Sequence, residues 1–230
     1  IKRSTIEKLL AISENKDASI IEKIANEQFG DQFHELVDKG ILAHFKILKS
    51  IEVFDGDREF FAEIQRRDGK NMYFSPADGW VAVNDKDINL YKINFEWLLR
   101  RIMSALDVAE RHESKEICED RIWALGQHRI EKKHTNIIVV RNIKNAIVFD
   151  GLVNHLNKHH RVRNTALVIA LVRNHLDHLS LPSQNELIRI DEAIKWDKNH
   201  FELNTVLLAG RMGGTRNKSG FSNGYRSLAS

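Results

Sequence analysis

Three uninterrupted apolar runs in the second half of the chain restrict the fold most strongly. They read NIIVV at 136–140, TALVIALV at 165–172 and NTVLLAG at 204–210. A strand that is apolar without alternation is typical of a sheet covered on both faces, because every side chain then meets a hydrophobic layer. Between the first two runs, residues 145–160 carry apolar side chains at helical spacing. A strand, a helix and a second parallel strand are therefore predicted here.

Charge divides the chain into two unlike halves. Residues 1–114 carry 17 Lys and Arg against 21 Asp and Glu, whereas residues 115–230 carry 18 against 11. The halves therefore have formal charges of −4 and +7. A basic half attracts phosphate and an acidic half repels it, so a nucleic-acid partner is expected on the C-terminal side.

The first third of the chain has three helical patterns followed by strands. Helical spacing begins behind Ser4, resumes after Ser19 and again after Gly30. The third pattern ends at a glycine in LVDKGIL, as helices often do. Strand patterns follow in ILAHFKIL, REFFAEIQ and NMYFS, and the turn RRDGK joins the last two.

In this element order, and in the exit LVDKGIL from the third helix, residues 4–75 resemble the winged helix-turn-helix family. The resemblance implies that the third helix reads bases in the major groove and that residues 66–70 form the wing. The third helix presents Asp31, Glu35 and Asp38, whose carboxylates repel phosphate. This module is therefore equally suited to docking a protein partner or to dimerisation.

The remaining patterns complete the predicted architecture. WVAV at 80–83 adds an antiparallel strand, and a broad apolar stripe from Asn94 predicts a long helix that continues to about Ala109. The predicted fold class is an α+β N-terminal winged-helix-like domain, a long connecting helix and a small α/β domain with a mainly parallel sheet. The predicted segments are a winged-helix-like domain with extra antiparallel strands at 1–93, a connecting helix at 94–114, a basic α/β domain at 115–210 and a flexible basic Gly/Ser-rich tail at 211–230.

Basic residues supply the candidate nucleic-acid contacts. The turn RRDGK is one source, although solvated charges around an Asp-Gly pair are also what any turn presents. KHHRVR at 158–163 is a second source, at a predicted helix end where the helix dipole favours cations. The Gly/Ser-rich tail is the third. The predicted contacts are Arg66, Arg67, Lys70, Lys158, Arg161, Arg163, Arg211, Arg216 and Lys218.

Motifs for metal or cofactor chemistry are weak. His155 and His159 lie four apart on a predicted helix, but two ligands are too few for a metal site, so no metal is expected. No cofactor is expected either. A metal-dependent phosphodiesterase or nuclease is the third functional hypothesis, and it requires carboxylates that are distant in sequence to converge. Its residues are Asp150, Glu186, Asp191 and Lys195.

The sequence as a whole predicts a nucleic-acid-associated, DNA-binding protein with a regulatory or accessory role and without catalysis. Double-stranded DNA and a second copy of the chain, paired through the long helix, are the expected partners. The alternative is a protein-interaction or scaffold module that docks a partner at the acidic third helix. A single cysteine, Cys118, and apolar runs too short to cross a bilayer lead us to expect a cytoplasmic protein that does not enter the membrane.

Overall fold

The structure is a computed structural model that describes residues 2–54, 56, 58–106, 114–130, 133–159, 165–172, 176, 178–182, 185–197 and 200–213. Its helices are α1 (Arg3–Ser13), α2 (Glu22–Phe29), α3 (Gln32–Asp38), α4 (Asp85–Ile88), α5 (Phe95–Ala105), α6 (Ala146–His159), α7 (Ile190–Ala193) and α8 (Thr205–Gly213). Its strands are β1 (Ser19–Ile21), β2 (Leu42–Ile47), β3 (Ser50–Phe54), β4 (Glu59–Glu63), β5 (Gln65–Arg67), β6 (Lys70–Ser75), β7 (Gly79–Ala82), β8 (Asn89–Ile93), β9 (Lys115–Cys118), β10 (Ile122–Ile130), β11 (Lys133–Val140), β12 (Ala166–Ala170), β13 (Glu186–Arg189), β14 (Ile194–Asp197) and β15 (His200–Leu203).

The largest sheet has five strands in the order β13-β12-β11-β10-β9. Strands β11, β12 and β13 are parallel, whereas β10 pairs antiparallel with both β11 and β9. The predicted unit of strand, helix and parallel strand is confirmed as β11, α6 and β12. The prediction of a mainly parallel sheet is wrong, because β9, β10 and β11 follow one another through short connections, which favour antiparallel pairing.

Both faces of this sheet are covered. Ile138 and Val140 of β11 belong to a hydrophobic cluster with Leu152 of α6 on one side. Ile137 and Val139 alternate with them and belong to a second cluster on the other side, which includes helices of the N-terminal half. Two hydrophobic layers explain why the run at 136–140 is apolar without alternation.

The N-terminal elements share the second of these clusters. Helices α1, α2 and α3 contact a three-stranded antiparallel sheet, whose strand order is β1-β8-β2. The apolar stripe of α5, which includes Leu99 and Ile102, is buried in the same cluster as Trp123 of β10. The helix predicted as a dimer seam therefore uses its apolar stripe inside the chain, and the homodimer itself stays a prediction.

The predicted layout of a winged-helix domain, a long helix and a parallel domain is wrong. Helix α5 has 11 residues and ends at Ala105, with Leu106 as its C-cap. Much of the body consists of four small antiparallel sheets, with the strand orders β1-β8-β2, β3-β4, β5-β6-β7 and β14-β15. Strand patterns in a sequence do not tell which strands share a sheet, so these small sheets were not predicted.

The apolar run at 204–210, predicted as a strand, is helical. Asn204 precedes α8, and its side-chain carbonyl accepts a hydrogen bond from the backbone N–H of Leu207 at 3.4 Å. Such a side-chain acceptor stabilises the first turn of a helix. Leu208 is buried in the core. A seven-residue apolar run fits a buried strand and a buried helix equally well, and the asparagine cap decides between them.

A buried arginine joins α1 to the large sheet. Arg141 follows β11 and is 1% exposed. Its guanidinium donates to the carbonyl oxygens of Ser13 at 3.2 Å, Asn15 at 3.0 Å and Lys16 at 3.2 Å, just past the end of α1. It also donates to the Asp120 carbonyl oxygen. The bond to Ser13, the last residue of α1, satisfies a carbonyl group that a helix end leaves without an intrahelical donor.

The described residues contain no helix that is both long enough and apolar enough to cross a membrane.

Candidate nucleic-acid interface

A tight turn fixes the geometry of the basic segment near residue 67. Strands β5 and β6 pair antiparallel, with Arg67 opposite Lys70. The two residues between them, Asp68 and Gly69, both have positive φ, at 49° and 76°. This is the backbone of a two-residue type I′ hairpin turn, which Asp-Gly favours because glycine adopts positive φ without a Cβ clash. The turn therefore sets the strand register.

That register brings two cations and two aromatic rings to one face of the β5-β6-β7 sheet. Arg67 lies opposite Lys70, and Phe74 lies opposite Trp80. Lys70 and Phe74 are four apart on one strand and so point to the same side. We call Arg67, Lys70, Phe74 and Trp80 the basic-aromatic face.

Trp80 contacts both Arg67 and Phe74, and all four members of the basic-aromatic face stay open to solvent. The guanidinium carbon of Arg67 lies 3.9 Å from the centroid of the Trp80 ring, in cation–π geometry. The rings of Phe74 and Trp80 are 5.6 Å apart and tilted by 69°. Phe74 is 54% exposed and Trp80 is 36% exposed. The cluster is therefore held together while its outer surface remains accessible.

Among the residues that the structure describes, neither cation of this face has a carboxylate partner. Of the salt bridges among the residues that the structure describes, none involves Arg67 or Lys70. Both side chains are exposed. Both charges therefore face solvent. A carboxylate partner would weaken the attraction between such a cation and a bound anion, and no described carboxylate does so here.

A second exposed aromatic pair lies on the β3-β4 hairpin and has the opposite charge. Phe54 is 66% exposed and lies opposite Glu59, and Phe61 is 75% exposed and lies opposite Glu52. We call these four residues the acidic-aromatic face. Its carboxylates repel phosphate, so the acidic-aromatic face and the basic-aromatic face differ in the charge of the ligand that each favours.

The other predicted contacts do not join the basic-aromatic face. Arg66 lies opposite Asn71 and points to the other side of the sheet. Lys158 is exposed in the last turn of α6. Arg211 is exposed in α8, with its Nη2 atom 3.7 Å from Glu192 Oε2. The remaining predicted contacts lie outside the described residues: Arg161, Arg163, Arg216 and Lys218.

The acidic third helix carries part of its charge in an internal ion pair. Lys39 Nζ lies 2.5 Å from Glu35 Oε1, both on the surface. The hydrogen bond and charge of Lys39 lower the pKa of Glu35 below its ordinary value. The carboxylate is therefore ionised at neutral pH and partly compensated by its own neighbour.

The carboxylates of the nuclease hypothesis are held apart by the topology. Glu186 begins β13, whereas Asp191 follows the end of that strand. Asp191 Oδ1 lies 3.3 Å from Arg189 Nε in an ion pair. Within the described part of the chain, no group of three or more His, Cys, Asp and Glu side chains is placed to hold a metal ion.

A cleft of about 430 Å³ lies beside β8, α5 and β10, and its charge differs from that of the basic-aromatic face. Lys92 in its wall is hydrogen-bonded to the carboxylate of Asp120. Glu96 and Glu116 also line it. Because acids outnumber the lysine and the lysine is paired, this cleft does not favour a phosphate ligand.

Phe74 and Trp80 are the site residues that the sequence analysis missed. Two signals were present: the Asp-Gly pair, which fixes the register of a hairpin, and the strand patterns NMYFS and WVAV. Together they place Phe74 on the side of Lys70. Neither signal reveals that Trp80 pairs with Phe74, because that depends on the longer connection between β6 and β7.

Comparison of the chain with protein-family models, with curated proteins and with solved structures finds no match.

Proposed function

We propose that this chain is a nucleic-acid-associated protein that binds DNA in a regulatory or accessory role, without catalysis, and that it binds through the basic-aromatic face. One observation carries the proposal: two cations and two exposed rings share one side of a small sheet, and no described carboxylate pairs with either cation. Cations attract the phosphates, and aromatic rings stack against bases.

Charge supports a nucleic acid over other ligands of this face. Arg67 and Lys70 lie side by side across the hairpin, on the same side of the sheet as two rings that are more than one-third exposed. An apolar ligand gains nothing from the two cations, and a simple anion gains nothing from the rings. Nucleic acid combines phosphates with flat bases. The winged-helix resemblance of residues 4–75 stays a prediction, and the proposal does not depend on it.

Removing both cations is expected to reduce the salt dependence of DNA binding. Each phosphate contact contributes a slope of about −0.7 in a plot of log K against log salt concentration for a single strand. Arg67→Ala with Lys70→Ala should therefore flatten the slope by about 1.4, which is roughly a sevenfold smaller loss of affinity between about 50 and 200 mM salt. Fluorescence anisotropy with a labelled oligonucleotide measures this.

Arg66→Ala is the matched control, because it removes the same charge from the neighbouring residue on the opposite side of the sheet. Its slope should stay close to that of the unaltered chain. Equal slopes for the double variant and the unaltered chain would contradict the proposal. Loss of intact DNA only when magnesium is added would favour the nuclease hypothesis instead.

Protein docking is the second candidate function, and the acidic-aromatic face favours it. Phe54 and Phe61 are exposed beside Glu52 and Glu59, which suits a basic segment with apolar side chains. Salt separates the two functions, since a mainly apolar docking surface loses little affinity as salt is added. Absence of DNA binding at low salt would leave this candidate as the better one.

A further inference from the structure

We infer that the basic-aromatic face binds a single strand, with unpaired bases stacked against Phe74, Trp80 and the Arg67 guanidinium. This inference rests on the proposed function, because it names the form of nucleic acid that the face takes. It also differs from the winged-helix resemblance, which implies that the ligand is a DNA duplex.

The width of the sheet disfavours a duplex. The major groove of DNA is about 12 Å wide and admits a helix or a two-stranded ribbon. The basic-aromatic face belongs to three paired strands, β5, β6 and β7. At about 4.8 Å per strand, three strands are roughly 14 Å wide. The sheet therefore does not enter the groove face first.

The two aromatic rings also favour a single strand over a duplex. In a duplex, each base is stacked above and below by its neighbours, so a protein ring has no free base face to contact. Phe74 and Trp80 contribute to binding only when bases are unpaired. Two exposed aromatic side chains on a small sheet therefore suit a single strand. If the face contacted only the phosphates of a duplex, the two rings would contribute nothing to binding.

The position of Arg67 extends the stacking surface. Its guanidinium lies over the Trp80 ring at 3.9 Å, and bases stack on guanidinium planes as well as on rings. A base can therefore lie on Arg67 with Trp80 beneath it, while Phe74, tilted by 69° from Trp80, receives a second base at another angle. Such platforms accept a strand whose bases are splayed apart.

Lys70, at the end of the face away from the rings, supplies a phosphate contact in addition to the charge of Arg67. It lies four residues from Phe74 on β6, roughly 13 Å along the strand. The cation and the rings therefore form a short track along which one strand runs, with its backbone at Lys70 and its bases at the rings. This arrangement reads no hydrogen-bonding pattern, so binding is expected to tolerate different base sequences.

The test compares two probes on the full chain: a fluorescein-labelled 20-nucleotide thymidine strand and a labelled 20-base-pair duplex, at the same salt concentration. The single strand is expected to bind at least tenfold more tightly. Trp80→Ala should weaken single-strand binding about fivefold or more and leave duplex binding unchanged. Trp80→Phe keeps a stacking ring and should retain most of the affinity, which separates stacking from loss of fold.

Different results would contradict the single-strand inference and the proposed function. Duplex binding that equals or exceeds single-strand binding, and that Arg67→Ala with Lys70→Ala weakens, would overturn the single-strand inference and keep the proposed function. Equal losses for both probes in Trp80→Ala would also overturn the inference. Absence of binding to either probe at low salt would overturn the inference and the proposed function together.

Discussion

Replacement of Phe74 and Trp80 together by alanine is expected to lower the affinity for single-stranded DNA by about 2 kcal/mol or more, roughly 30-fold. Stacking of a base on an aromatic side chain contributes about 1–3 kcal/mol, and the variant removes two rings. The cations of the face remain, so the slope of log K against log salt concentration should stay the same. Anisotropy titration measures both quantities.

The chain offers a matched control for this prediction. Phe54 and Phe61 are also exposed and also lie on a small antiparallel hairpin, but glutamates stand opposite them. Their double replacement by alanine is expected to change the affinity by less than about twofold, because the carboxylates keep phosphate away. Equal losses for the two double variants would mean that exposed aromatic area in general, and not the basic-aromatic face, drives binding.

Replacement of Arg141 by methionine is expected to lower the free energy of unfolding by about 3 kcal/mol. The guanidinium is the hydrogen-bond donor for the carbonyl groups of Ser13, Asn15, Lys16 and Asp120. The buried Ser13 carbonyl loses its donor at a cost of about 1–3 kcal/mol, and the three acceptors on less buried residues add smaller losses. Part of that loss is offset, because the variant no longer removes a charged group from water.

Urea unfolding measures this loss as a lower midpoint with an unchanged slope. Burial lowers the pKa of Arg141 to about 10, so at pH 7 the side chain carries its proton in both the folded and the unfolded chain. The destabilisation is therefore expected to be the same between about pH 6 and 8.

Arg100→Ala serves as the control for Arg141. Arg100 is exposed on α5 and pairs with Glu96, also exposed, and with no other residue of the described part of the chain. Its replacement should cost less than about 0.5 kcal/mol. A loss below about 1 kcal/mol for Arg141→Met would contradict the view that this arginine secures α1 to the large sheet.

The sequence predicts the central part of the large sheet well and its surroundings poorly. Strands β11 and β12 with α6 between them follow from continuous apolar runs, which are typical of a sheet covered on both faces. The run at 204–210 was misjudged, since seven apolar residues do not distinguish a helix from a strand. The length of α5 was overestimated, because the apolar stripe alone does not mark where a helix ends.

The candidate site shows a different limit. Arg67 and Lys70 were identifiable as cations beside a turn, but so was Arg66, and only the strand register assigns Arg66 to the opposite side. Phe74 and Trp80 become neighbours through pairing across a longer connection. The formal charge of −4 on residues 1–114 concealed the basic-aromatic face within that half, because a sum over a hundred residues does not report a local cluster.

Photo-crosslinking with peptide mapping tests most directly whether the basic-aromatic face is where nucleic acid binds. A single strand that carries iododeoxyuridine is bound to the full chain, irradiated, and the crosslinked tryptic peptide is identified by mass spectrometry. Cleavage after Lys70 and Lys86 releases residues 71–86, which contain both Phe74 and Trp80. The account predicts crosslinks in this peptide. Crosslinks confined to other peptides, such as residues 50–58 with Phe54, would contradict it.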